Sequence, residues 1–163
     1  MALVIRKIQT KDWKAVKEIY NEWRTANTYA VPTDIFSDKL AKQKVEDLKK
    51  GINLIAEVDK KVVGLIESKQ GYLPKTKHTL NIGQLNVLKA YRKQGVAKAL
   101  MKQIFEIAKQ KKIKIAFLYV TSTNKPAILF YKELGFIKTG YIKDQFKFKN
   151  KYVNNNIMSK TLS

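Results

Sequence analysis

The chain has 163 residues and a mass of 18.8 kDa, the size of one ordinary globular domain. With no cysteine and one histidine, it excludes a disulfide framework, a thiolate metal site, a cysteine nucleophile and a multi-histidine zinc site. Lys and Arg number 33 against 13 Asp and Glu, a formal net charge of +20.

The alternation of Leu3, Ile5 and Ile8 predicts a strand near 3–8. Thr10 then precedes an amphipathic helix in which Trp13, Val16, Ile19, Tyr20 and Trp23 recur at helical spacing. Residues 25–36, with Pro32, read as a loop. Ser37 is suited to cap a second helix with Leu40, Val45 and Leu48 on its apolar side, ended by Gly51. Asn53–Val58 and Val62–Ser68 are strands joined by a turn at Asp59–Lys61, and Gly71–Lys77 is a loop. In the strand Thr79–Leu88 the alternation of Leu80 and Ile82 slips before Leu85 and Val87, the trace a β-bulge leaves.

After residue 94 the period becomes helical, with Ala97, Leu100, Met101, Ile104, Phe105 and Ala108 on one face. Ile113–Val120 is an almost continuous apolar run, the pattern of a strand buried on both faces. Pro126 suits the first turn of a helix through Ala127, Ile128, Phe130, Tyr131 and Leu134, closed by Gly135. Strands at Phe136–Tyr141 and Tyr152–Met158 complete the order βααβββαβαββ. With no linker or repeat, residues 1–163 form a single α/β domain.

The charge is unevenly placed. Residues 1–50 hold 11 basic and 7 acidic residues, whereas residues 89–163 hold 17 and 3. Such a field attracts polyanions: nucleic acid, an anionic membrane surface or a phosphorylated cofactor. Only Arg6, Arg24 and Arg92 are arginine, the residue favoured for bidentate phosphate and base recognition, which speaks against nucleic acid as a dedicated partner. No stretch approaches a membrane span of ~20 apolar residues. Met1-Ala-Leu-Val-Ile-Arg6 lacks the apolar segment of a signal peptide. The expectation is a cytoplasmic domain without a membrane partner.

The segment Leu85–Leu100 joins a strand, a short basic turn with Gly95 and a strong helix. The first N–H groups of a helix lack internal partners, and the helix dipole adds partial positive charge there. Gly95 permits close approach to the backbone, and Arg92 and Lys93 add full charges, so the turn can cradle a phosphate. It is neither a P-loop nor a dinucleotide fingerprint. A tight turn with solvated Lys and Arg fits the same residues.

Arg92-Lys-Gln-Gly95-Val-Ala97 resembles the Arg/Gln-x-x-Gly-x-Gly/Ala signature of the GNAT acyltransferase superfamily. Val87 and Tyr91-Arg92 match its V-x-P-x-Y-R flank, with Lys89 in place of the usual proline. Downstream, Asn124-Lys-Pro-Ala-Ile-Leu-Phe-Tyr131-Lys-Glu-Leu-Gly-Phe136 resembles the family's N-x-x-A-x-x-x-Y-x-x-x-G-F. The resemblance implies a mixed, mostly antiparallel sheet flanked by helices. It implies N-acetyltransferase activity with acetyl-CoA, without a metal, by direct attack of an amine in a ternary complex. The amides of Gln94, Gly95, Val96, Ala97, Lys98 and Ala99, with the turn at Arg92 and Lys93, would bind the coenzyme pyrophosphate. The main chain of Leu85, Asn86 and Val87 would pair with the pantetheine arm and polarise the thioester carbonyl. Asn124 would hydrogen-bond the pantetheine, and Tyr131 would act as general acid toward the departing thiolate. Read from the residues alone, Tyr131 is a core aromatic and Asn124 a helix cap.

An amine nucleophile must lose a proton. Gln84 stands where family members often carry an acid, and it cannot take one. Glu67, acting through water, is the candidate base, with a solvated strand-end carboxylate as the plainer reading. His78 is the one imidazole but sits at a strand start; a serine–histidine triad could use only it. The closing segment resembles the final strands of many GNAT enzymes, with Asn150 replacing a glycine and Asn154 an acid, which argues against a polycationic acceptor. Phe146 and Phe148 alternate with Lys147 and Lys149, as in a hairpin with one buried face or a nucleic-acid stacking face. The acceptor lining would be Tyr20, Trp23, Arg24, Tyr29, Tyr72 and Gln84, with Arg24 able to pair with a carboxylate. The positive field favours a neutral or acidic small amine. The competing readings are a protein N-terminal or ribosomal-protein acetyltransferase and a non-catalytic module binding acyl-CoA or nucleic acid. Either a monomer or a homodimer is compatible.

Overall fold

The computed structural model describes residues 2–25, 36–148 and 150–162. Strand β1 (Leu3–Lys7) leads into helices α1 (Trp13–Thr25) and α2 (Asp38–Lys49). Strands β2 (Leu54–Val58), β3 (Lys61–Gln70) and β4 (Thr79–Val87) follow, then α3 (Val96–Gln110), β5 (Ile115–Thr121), α4 (Lys125–Glu133), β6 (Ile137–Phe148) and β7 (Lys151–Thr161). The expected element order is the observed one. The strands form one sheet in the order β1-β2-β3-β4-β5-β7-β6, antiparallel except for the β4–β5 pair.

The caps explain where the helices begin. Ser37 accepts the Leu40 N–H at 3.3 Å at the start of α2, and Asn124 accepts the Ala127 N–H at 3.3 Å at the start of α4. Gly95 precedes α3 with φ +82°, a left-handed conformation that glycine adopts without strain.

Helix α3 buries Val96, Leu100, Met101, Ile104 and Ala108 against one face of the sheet. A Cβ added at Gly64 of β3 would stand 3.2 Å from Val96 and 3.3 Å from Leu100, so the helix lies tight on the strand there. Fully burying such a side chain contributes about 1.5–3 kcal/mol. Helices α1 and α2 cover the opposite face, through Tyr20 and Lys44 onto Glu67.

Three expectations need correction. Leu40 is half exposed, and Ala41 takes its place in the α2 core face. Strand β5 is buried on one face only, at Ala116, Leu118 and Val120, because α1 packs mainly on β3 and β4. Tyr119 on its other face is exposed. Strand β6 runs on to Phe148, well past the predicted end at Tyr141, and β7 runs from Lys151 to Thr161, past the predicted end at Met158. Most of β6 is exposed, so it carries no burial rhythm.

A candidate acetyl-CoA site in a split sheet

The site begins with the predicted bulge. Ile66 pairs with Leu85 and Ser68 with Ile82, so Gly83 and Gln84 together face Glu67. The parallel pairing of β4 with β5 stops at Ile82 and Leu118. Beyond it, Tyr119–Thr121 pair only with β7, while Leu85–Val87 pair only with β3. The sheet therefore opens between β4 and β5.

Alternation decides which main-chain groups face the opening. Leu88 N donates to Val63 O at 2.9 Å, and Asn86 O lies 3.4 Å from the place of a Gly64 Cβ, so both residues turn their main chain toward β3. Leu85 and Val87, one residue out of phase, turn theirs into the split. Of the three predicted main-chain partners, Asn86 offers the cleft its side chain, which donates to Gln84 Oε1 at 3.3 Å.

The split widens into a cleft of about 660 Å³. Its α4 wall holds Asn124, Ala127 and Tyr131, and its α1 side holds Trp23. Tyr131 is 8% exposed and packs edge-on against Phe136 and Phe130. Burial pushes its phenol up to about 12, so it stays protonated. Tyr119, Phe146 and Asn155 close the side nearest the C-terminal hairpin.

At the end of β4 a tight helical turn, Lys89–Tyr91, leads to Arg92 and α3. Lys93 (φ +59°) and Gly95 (φ +82°) both take left-handed conformations. Ala99 N already donates to Gly95 O at 2.9 Å. The expected amide set is thus shorter at both ends: Gly95, Val96, Ala97 and Lys98 are the helix-start N–H groups, Gln94 precedes them and Ala99 is excluded. No heavy atom lies within 4 Å of a Cβ added at Gly95, so the space over the turn is open. An anionic pyrophosphate fits this donor set. The half-exposed guanidinium of Arg92 folds back over the turn, donating to Val87 O at 2.8 Å and to Glu22 Oε1 at 3.2 Å. The Gln94 side chain donates to Ala90 O at 2.9 Å.

Glu67 borders a neighbouring hollow of about 380 Å³ that shares Asn81 and Gly83 with the cleft. Its carboxylate accepts from the Tyr20 hydroxyl and from Lys44 Nζ, the latter at 2.8 Å. Burial pushes its carboxyl up to about 7 and lowers the Lys44 ammonium.

Of the residues expected to line the acceptor side, Trp23 and Gln84 do so. Tyr20 is buried, stacked on Phe36 at 4.7 Å, and acts on Glu67. The Arg24 guanidinium lies 5.2 Å from the Phe36 ring centre. Tyr72 is a correction: it follows Gln70, which pairs with Leu80 at the far end of β4, and it is 77% exposed. Tyr29 lies outside the described residues. His78 is exposed at the start of β4, away from the split. Sequence reasoning missed Tyr119 and Asn155, which carry no spacing signal, and Glu22 and Lys44, whose partners lie far away in sequence.

The description "Acetyltransferase (GNAT) family" matches residues 13–136. The human N-acetyltransferase 8 is 31% identical over 91 residues, covering 53% of this chain and 38% of that protein, so the chain spans well under two thirds of it. An N-acetyltransferase from Staphylococcus aureus Mu50 superposes with TM-score 0.88 at 16% identity, over 100% of both chains. The Salmonella typhimurium yncA structure, described with its cofactor acetyl-CoA, gives TM-score 0.85 at 17% identity over 100% of this chain and 95% of that one. With three quarters of its length inside the family match, and with the split sheet and glycine turn in place, the chain belongs to the GNAT acetyltransferase family.

Proposed function

We propose that this protein is an N-acetyltransferase that moves an acetyl group from acetyl-CoA to the primary amine of a small neutral or acidic molecule. The observation that carries this reading is the split between β4 and β5. Main-chain groups of Leu85 and Val87 face it from one side and Tyr131 from the other. Bound acetyl-CoA supplies an activated thioester.

The protein's own groups do the rest. The N–H groups of Gly95, Val96, Ala97 and Lys98 hold the pyrophosphate, helped by the helix dipole. Lys93 adds charge beside them. Asn124 stands at the α4 end of the cleft to meet the pantetheine. The Leu85 and Val87 N–H groups lie two strand residues, about 6.6 Å, apart, so one holds the thioester carbonyl as it gains negative charge, a contribution of about 3 kcal/mol, and the other pairs with the pantetheine arm. Glu67 accepts the amine proton through a water bridged past Asn81 and Gly83. Its carboxyl near 7 suits that work at neutral pH.

Tyr131 works as a hydrogen-bond donor to the leaving sulfur. Its phenol near 12 is a far weaker acid than a thiol of about 8.5, so full proton transfer is uphill. A donor that stays protonated still stabilises the developing thiolate. On the acceptor side, the described lining of the cleft contains no carboxylate, and the chain carries +20. Both features disfavour polyamines.

Calorimetric titration with acetyl-CoA, coenzyme A and ATP at two salt concentrations tests the coenzyme half. Selective binding of the two coenzymes supports it, and equal, salt-sensitive binding of all three refutes it. A thiol-release screen with amino acids, other small amines and peptides tests the acceptor half. Turnover with peptides alone replaces the small-molecule acceptor by a protein N-terminus. Coenzyme binding without any thiol release refutes the enzymatic reading.

A further inference from the structure

The turn beneath the coenzyme cradle is tied to the acceptor-side helix by one carboxylate. Glu22 Oε1 accepts the main-chain N–H of Lys89, 67 residues away, at 2.6 Å. The same oxygen accepts Arg92 Nη2 at 3.2 Å, and Arg92 Nε donates to Val87 O at 2.8 Å. One chain of contacts therefore runs from α1, through the turn, to the open end of β4.

Helix formation does not account for Glu22. It lies near the C-terminal end of α1, where the helix dipole disfavours an acid. The Glu22–Arg92 pair, with side chains 36% and 48% exposed, adds little stability by itself. The Lys89 N–H is a different matter. It opens the Lys89–Tyr91 turn, so it finds no partner inside it. The preceding residue, Leu88, has φ −52° and ψ 137°, and that ψ lies outside the helical region that a following proline disfavours. Proline at 89 would have a fixed φ and no N–H to satisfy. Lys89 has a freer φ and a donor, and Glu22 takes up that donor.

We propose that Glu22 is a positioning residue for coenzyme binding: by accepting the Lys89 N–H it holds the turn, and so does for Lys89 what a proline ring would do covalently. Glu22 does not touch the coenzyme. The proposal rests on the acetyl-CoA reading of the cradle above.

The test uses the full chain, with coenzyme A affinity by calorimetry, acetyl-CoA KM, kcat and thermal midpoints. Glu22→Ala is expected to weaken coenzyme A binding and raise KM by about three- to tenfold, the range of one lost hydrogen bond, with kcat nearly unchanged. Adding Lys89→Pro to Glu22→Ala is expected to restore affinity, and Lys89→Ala serves as the control for the lost charge. Glu22→Gln, which keeps an acceptor oxygen, is expected to retain most of it. Wild-type affinity in Glu22→Ala overturns the proposal, as does a double variant that stays as weak as Glu22→Ala. Glu22→Gln gives a reading that does not depend on Glu22→Ala folding: affinity as weak as that of Glu22→Ala overturns the proposal as well, and Lys89→Pro is paired with Glu22→Ala because the proline ring would take the place of the N–H that meets Glu22. If the wild-type chain binds no coenzyme A, the reading of the cradle has failed; if it binds and Glu22→Ala binds equally, only the brace has.

Discussion

Asp12 is a buried carboxylate and Glu67 a largely buried one, each with a cation against it, and their surroundings push them in opposite directions. Burial raises Asp12, but the Arg6 guanidinium, bidentate at 2.8 and 2.8 Å, and the Gln9 N–H at 2.7 Å outweigh it and hold the carboxyl below its usual value. The hydrogen bond to Asp12 in turn raises Arg6. At Glu67, burial raises the carboxyl to about 7 and also lowers its partner Lys44. A rigid fork plus a backbone donor fixes a charge. A single ammonium on a flexible stem, itself desolvated, leaves the proton able to move. The first cluster, between β1 and the start of α1, is built to hold the fold. The second, beside the bulge, is suited to chemistry.

Four experiments would break or sharpen that contrast. Arg6→Ala strands the Asp12 charge in the interior and should lower unfolding free energy by about 3 kcal/mol, read from the denaturant midpoint, with kinetic constants unchanged. Glu67→Gln should do the reverse. We expect kcat to fall about 100-fold with little change in the midpoint, and an unchanged kcat removes Glu67 from the reaction. Tyr131→Phe should cost about tenfold in kcat while leaving acetyl-CoA KM alone, since only the developing thiolate loses a donor.

The smallest effect is on pH dependence. Asp12, lowered from 3.8, contributes stability that is present above that value and lost as pH falls through its depressed pKa. Glu67 has the opposite sign. Between 4.5 and about 7 the unfolded chain is ionised there while the folded chain keeps the proton, so stability declines as pH rises. Thermal midpoints across that window should flatten in Glu67→Gln, and kcat/KM of the native protein should rise through about 7. Lys44 and Tyr20 face the same carboxyl, so Lys44→Met should move the kinetic midpoint.

Much of the fold and part of the candidate site are legible in the residues alone. The slip between Ile82 and Leu85 marks the bulge, because a strand shows its phase in alternating burial. The Gly95 turn and the Asn124–Tyr131 spacing are local, so their chemistry is written in adjacent residues. What escapes is non-local. Glu22 and Lys89 meet across 67 residues, and Lys44 and Glu67 across 23, with no periodic sign of either. Tyr72 resembles a wall residue because aromatics line pockets, but only the β3–β4 register shows it at the wrong end. The length of β6 is hidden for another reason: an edge strand exposed along most of its length has no buried face to announce it.

The main-chain N–H groups that Leu85 and Val87 turn into the split have an evolutionary consequence. A donor that belongs to the backbone is not removed by changing its side chain, except to proline. The carbonyl-holding function is therefore shielded from nearly every point substitution at those two positions. It is not shielded from changes in length. Deleting one residue at the Gly83–Gln84 bulge would leave a single residue opposite Glu67 and keep Leu85 opposite Ile66, but it would remove the irregularity at which the sheet opens, so that β4 could go on pairing with β5 and take up the N–H groups of Leu85 and Val87. Lineages of this protein should exchange one apolar residue for another at 85 and 87, where the side chains pack on the core, and tolerate no insertion or deletion between 82 and 88.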